Sequence, residues 1–169
     1  MADAIADRAV RSVFLYTREA HPGENYRHHT SMEVKRANAR TFREQYKLRR
    51  PILLDDLAGT AHRAYGMLPN MTWIVGRGGQ ILYKAAWTGP ADIRDALEQS
   101  LRDLGRRIPD QLTPFYAERL AWRENDPDQF RAGLERTGPQ AVSDFYDSQK
   151  RMREIESERR KQRAAAADD

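Results

Sequence analysis

Residues 10–17, Val-Arg-Ser-Val-Phe-Leu-Tyr-Thr, are rich in β-branched and aromatic side chains and almost unbroken in apolar character after Ser12. Such a run reads as a strand buried on both faces, as in a parallel sheet. Parallel strands cannot be joined by tight turns, so helical crossovers must follow.

They do follow. Residues 18–30 hold Pro22, Gly23, Asn25 and three of the four histidines without periodicity, which marks a polar loop. Thr30 with Glu33 then gives a capping-box signal for a helix reaching about Tyr46, with Met32, Ala39, Phe42 and Tyr46 among its apolar positions. Pro51-Ile52-Leu53-Leu54-Asp55 is a second short buried strand, and a brief helix over 60–65 stops at Gly66. Residues 72–75 and 80–84 flank Gly76-Arg77-Gly78-Gly79 as a β-hairpin, and 90–104 carries Ile93, Ala96, Leu97, Leu101 and Leu104 at helical spacing behind Pro90. The order β-α-β-α-β-β-α indicates an α/β sandwich over residues 1–105.

Residues 106–169 differ in character and read as a helical extension with a basic tail. Phe115, Tyr116, Leu120 and Trp122 suggest a helix starting near Thr113, Asp126-Pro127 caps another, and Gly138-Pro139 opens the last, whose end from Ala164 should fray. From Lys150 to Arg163 seven cations stand against three glutamates, a surplus equal to the net charge of +4 of the whole chain. Such a tail could bind nucleic acid, but Glu154, Glu156 and Glu158 are interleaved with the cations and Glu154 can pair with Arg151. A solvated helix is the better reading, which argues against a nucleic-acid partner.

The chemistry-bearing segment follows the first strand: Arg18-Glu19-Ala20-His21-Pro22-Gly23. Open α/β sheets place their sites beyond the carboxyl ends of strands. In extended backbone, residues two apart face the same side, so Glu19 can orient His21 and stabilise its charged form, making it a proton donor near neutral pH. The loop could fold His28 and His29 back onto His21. Irregular spacing of the three histidines and Glu19 argues against a metal site, and no cofactor motif is present. Gly76-Arg77-Gly78-Gly79 precedes a strand and lacks the Lys-Ser/Thr of a phosphate loop. Asp55-Asp56 reads as a helix-capping turn, and His62 as a surface or capping histidine.

Composition matters most through one absence. With no cysteine, the chain can form no disulfide, thiolate zinc site, CxxC motif or cysteine nucleophile, so thiol chemistry would have to borrow its sulfur. The longest apolar runs, Val13-Phe14-Leu15 and Ile52-Leu53-Leu54, fall far short of the roughly 18 residues of a spanning helix. The first residues lack the features of a signal peptide, so a cytoplasmic location away from membranes is expected.

Val13-Phe14-Leu15-Tyr16-Thr17-Arg18-Glu19-Ala20-His21-Pro22 resembles the strand and Glu-Ala-His-Pro signature of the iodothyronine deiodinases and their bacterial redoxin-like relatives. The resemblance runs on through His29-Thr30-Ser31-Met32-Glu33, residues 51–56, Tyr65 with Leu68-Pro69, residues 81–84 and Gly89-Pro90. It implies a thioredoxin-like fold and an oxidoreductase in which a selenocysteine or cysteine is the nucleophile. Glu19, His21 and His29 match the family's acidic residue and two histidines, which line the pocket and deliver protons. A thiol reductant or a small molecule would then be the partner.

The same resemblance implies that the family's first strand, nucleophile loop and most of its first helix are missing, as in a truncated or degenerate relative inactive on its own. Trp87 stands where the deiodinases carry an arginine, and the loop between His21 and His29 is shorter, both of which argue against thyroid hormone as substrate. The missing strand would lie between the strands over 10–17 and 72–76 and leave each with an open edge, through which two copies could pair. The alternative to an enzyme is a non-catalytic scaffold or protein-interaction module on the same fold.

Overall fold

The computed structural model describes residues 10–105, 117–120 and 126–166. Its elements run β1 (Phe14–Tyr16), α1 (Met32–Gln45), β2 (Ile52–Leu54), α2 (Thr60–Ala64), β3 (Thr72–Val75), β4 (Ile81–Ala85), α3 (Pro90–Gly105), β5 (Ala117–Arg119), α4 (Pro127–Thr137) and α5 (Pro139–Ala165). The chain is mixed α/β, with two small sheets. The described residues gather into two compact units, one from 10–17, 39–105 and 117–120, the other from 18–38 and 126–166.

In the first unit β1 and β2 are parallel, with Phe14, Leu15 and Tyr16 opposite Ile52, Leu53 and Leu54. The Phe14 amide donates to the Pro51 carbonyl at 2.9 Å and the Asp55 amide to the Tyr16 carbonyl at 3.1 Å. Phe14 and Tyr16 share one face and meet the Phe42 ring of α1 at 5.7 and 6.2 Å, with the Tyr46 ring tilted against Phe42 at 5.0 Å. The Arg50 guanidinium covers the Phe14 ring at 3.5 Å and donates to the Ser12 hydroxyl. The other face is open: Val13, Leu15 and Leu53 are 48, 37 and 52% exposed. The strand expected to be buried on both faces is therefore covered on one, because a single helix layer packs against this sheet among the described residues.

The second sheet has the order β3-β4-β5. β3 and β4 form the expected hairpin, with Thr72 opposite Ala85 and Trp73 opposite Lys84. Its turn is closed by Gly76 N–H donating to Gln80 and Gly79 N–H donating to Gly76. Tyr83, Ala85 and Leu97 are buried.

β5 overturns part of the helix expected from Thr113: residues 117–119 lie parallel to β4, with Tyr83, Lys84 and Ala85 opposite Ala117, Glu118 and Arg119. The rest of that expected helix falls outside the described residues. Ala117-Glu118-Arg119 has no apolar periodicity to hold it in a helix. The open edge of β4 offers a ready hydrogen-bond ladder. Lys84 Nζ to Glu118 Oε1 at 2.7 Å supports the register across the strands, contributing about 0.2–1 kcal/mol, and Arg119 Nη1 to Asp92 Oδ1 at 3.1 Å ties β5 to α3.

Among the described residues β1 pairs only with β2, and β3 only with β4 or, on its far edge, with nothing. The two strands expected to flank a missing neighbour thus do not re-pair with each other.

Helix boundaries follow local chemistry with one shift of cap. Ser31, not Thr30, caps α1, its hydroxyl accepting from the Val34 amide at 3.2 Å. Asp126 caps α4 by accepting from the amides of Asp128 and Gln129, with Pro127 in the first turn. α5 ends at Ala165, within the stretch expected to fray from Ala164, and residues 167–169 fall outside the described residues.

Candidate functional site

Beyond β1 the chain leaves extended geometry, bending at Ala20 and His21. The loop then anchors itself on the junction between α4 and α5. The Asn25 amide donates to the Thr137 carbonyl at 3.0 Å and its side-chain Nδ2 to the Arg136 carbonyl at 2.9 Å, closing the end of α4. The neighbouring Glu24 carboxylate accepts from the Gln140 amide with both oxygens at 3.1 Å, in the first turn of α5. Adjacent loop residues therefore satisfy orphan carbonyls at one helix end and an orphan amide at the start of the next, where a negative charge also suits the helix dipole.

Two glycines make this approach possible. A Cβ on Gly23 would sit 2.6 Å from the Thr137 carbonyl oxygen, and Gly138, at φ +129°, would drive one into the Glu24 carboxylate.

The loop brings Glu19 and His29 together, with Nε2 to Oε1 at 3.5 Å; their side chains are 20 and 5% exposed. Burial is the largest influence on His29 and pushes its pKa below the ordinary 6.5. The Glu19 carboxylate pulls it up, Lys35 and then His28 push it down, and the net direction is down. An imidazole kept neutral, with one ring nitrogen facing a carboxylate, holds the lone pair of its other nitrogen for accepting a proton.

His21 goes elsewhere. Its ring stands edge-to-face against Phe130 at 5.7 Å and Phe145 at 5.5 Å, and those two rings meet at 4.9 Å. Burial lowers its pKa and no carboxylate acts on it. The expectation that Glu19 orients His21 and favours its charged form is corrected on both counts. The rule of two-residue alternation needs extended backbone, and the chain bends at Ala20 and His21, so Glu19 faces His29 instead.

Lys35, one turn into α1, is 1% exposed and close enough to His29 to act on it electrostatically. Sequence reasoning passed over it. The signal was available, because Met32, Ala39, Phe42 and Tyr46 leave a place at 35 on the inward stripe that Lys35 occupies. A buried lysine and a carboxylate that both act on one neutral imidazole make a compact group able to attract an anion and move a proton.

A second acid and histidine follow β2, in the first unit. Asp55, 4% exposed, accepts from the amides of Asp56, Ala61 and His62 at 3.0, 2.9 and 2.9 Å. Burial pushes its pKa up, but those three hydrogen bonds outweigh it and the net direction is down. Asp56 accepts from the amide and hydroxyl of Thr60. The capping-turn reading of Asp55-Asp56 is thus the observed one. His62, expected as a surface or capping histidine, is not at the surface: it is 7% exposed, with Nε2 at 3.1 Å from the Leu68 carbonyl, because Asp55 draws the first turn of α2 inward.

The chain matches no protein-family model, no curated protein and no solved structure. Among the described residues no three histidine or carboxylate side chains converge as metal ligands, and no helix is long and apolar enough to cross a membrane.

Proposed function

We propose that this chain is a redoxin-type oxidoreductase domain of thioredoxin-like fold, similar to the iodothyronine deiodinases and their bacterial relatives. It would supply proton handling to a thiol or selenol that it does not itself carry. The observation that carries the reading is the Glu19–His29 pair beside buried Lys35, on the loop that leaves a parallel strand. The element order from β1 to α3 supports it as well, as does the fact that β1 and β3 do not pair with each other among the described residues.

In this reading His29 takes the proton of an incoming thiol, the thiolate attacks a peroxide oxygen, and the O–O bond breaks. The proton returns to the leaving oxygen as it departs as alcohol or water. A second thiol then closes a disulfide and releases the first product oxygen as water, so two thiols are oxidised for each peroxide reduced. Lys35 stabilises the anionic sulfur, and Glu19 orients His29. His21 forms part of the wall.

With no cysteine among its 169 residues, the chain alone should reduce peroxide or an aryl halide at background rate. With dithiothreitol added, peroxide consumption should exceed the reagent's own rate, and the excess should fall at least tenfold in His29→Asn. Equal rates with and without the protein would sink the catalytic reading.

The second reading, a non-catalytic scaffold or interaction module, is favoured by one observation: the His21 ring is used as packing against the paired rings of Phe130 and Phe145. It expects His21→Phe to fold with undiminished stability and expects no thiol-dependent rate.

A further inference from the structure

α5 is anchored only at its beginning. Ala141 is buried and Phe145 half-buried, while every residue from 146 to 165 is exposed. That leaves about 30 Å of helix at 1.5 Å per residue with no packing partner of its own among the described residues. Helices in proteins owe most of their stability to the packing of one face, so the stretch calls for a covering surface.

The residues it presents have a pattern. Met152 and Ile155 are large apolar side chains, 58 and 44% exposed. With Phe145 at position a of a heptad, Ser148 falls at d, Met152 at a and Ile155 at d, a single seam down one side.

The charges flanking the seam identify the occupant. Arg151 and Glu158 fall at g, Glu156 and Arg163 at e. In a parallel pair each g residue faces the e residue five positions on in the other helix. Arg151 then meets Glu156, and Glu158 meets Arg163, each twice by symmetry, giving four complementary pairs. An antiparallel pair built on the same Met152 and Ile155 layers brings only Arg151 against Glu158, twice. The remaining charges at 150, 153, 154, 160 and 161 lie on the outer face and carry its positive surplus. The interleaving of glutamates with cations thus has a spatial order that a random solvated helix does not require.

We infer that the exposed length of α5 is a self-association surface, pairing in parallel and in register with α5 of a second copy through Met152 and Ile155, with Arg151–Glu156 and Glu158–Arg163 contacts across the seam. Arg159 at the next a position places two guanidiniums together and limits the apolar seam to two layers. The pairing is therefore weak and dependent on protein concentration.

Sedimentation equilibrium of the full chain, from about 5 to 500 μM at low salt, should show the mass rising from 19.6 kDa towards about twice that value. Arg151→Glu should hold the chain at monomer mass, by setting a carboxylate against Glu156, and adding Glu156→Arg should restore the rise. Both positions are solvent-exposed, so the helix itself survives the changes, as circular dichroism can verify. Because the chain has no cysteine, Ser148→Cys introduces a sole thiol, which in the parallel register sits beside its own counterpart and should give a covalent dimer on mild oxidation. A mass that stays monomeric throughout overturns the inference. So does self-association indifferent to Arg151→Glu, and rescue by Glu158→Arg in place of Glu156→Arg overturns the parallel register.

Discussion

Two loops leave the parallel pair β1 and β2, and each sets an acid near a histidine, yet they differ in what their carboxylates are committed to. Asp55 spends its oxygens on three backbone amides between 2.9 and 3.0 Å, and His62 closes the same turn through the Leu68 carbonyl. Glu19 faces an imidazole at 3.5 Å, with a buried ammonium one helix turn further on. The first carboxylate organises backbone and is held ionised by it. The second tunes another titratable group. Proximity of acid and histidine is therefore a poor guide to chemistry, and the identity of the donors around the acid is a better one.

The sharpest break of that contrast is Asp55→Ala. It strips three buried amides of their acceptor and should cost about 2–4 kcal/mol, since hydrogen bonds to charged groups contribute roughly 1.5–3 kcal/mol each and relaxation recovers part of the loss. Urea denaturation measures it, and a loss under 1 kcal/mol would show the turn to be held by other means.

The acid limb of the stability curve carries the same information. With a folded-state pKa below the ordinary 3.8, Asp55 contributes stability that is present above that value and lost as pH falls through the folded one. Asp55→Asn should flatten this limb. His21 and His29, both lowered, bind fewer protons folded than unfolded below 6.5, so stability should also decline as pH falls from there towards their folded values. Asp55→Asn should leave that upper limb unchanged.

Lys35→Met is the next largest change. Replacing a buried ammonium by an apolar side chain of similar length is commonly neutral or stabilising, within about 1–2 kcal/mol. Its diagnostic is the His29 titration followed by NMR, which should move up once the neighbouring cation is gone; a downward move would mean that Lys35 acts on His29 mainly through packing. Glu19→Gln should have the smallest effect on stability, under about 1 kcal/mol. It removes the one influence that raises His29, so that titration should move further down.

The sequence was most legible where local rules act alone. The hairpin at Gly76-Arg77-Gly78-Gly79, the Asp126-Pro127 cap and the stripe of α1 are set by residues within a few positions of one another, and the structure has them. Residues 117–119 were misread because an edge of β4, more than thirty positions earlier, decides their conformation. Burial on both faces of β1 was misread because an apolar run records what a strand tolerates, whereas coverage depends on the layers that arrive. At the site, the loop and its acid were legible. Their pairing was not, since the bend at Ala20 and His21 follows from where Glu24 and Asn25 dock.

That docking also sets an order in time. Asn25 reaches Arg136 across 111 residues and Glu24 reaches Gln140 across 116. On a ribosome adding roughly 5–20 residues per second, about 5–20 s separate the emergence of the Glu19–His29 loop from that of the helices that clamp it. Through that interval β1, β2 and the β3–β4 hairpin already exist as chain, while the loop that would do chemistry has nothing to close on. The Glu19–His29 pair is thus among the last parts of the nascent protein to acquire its shape.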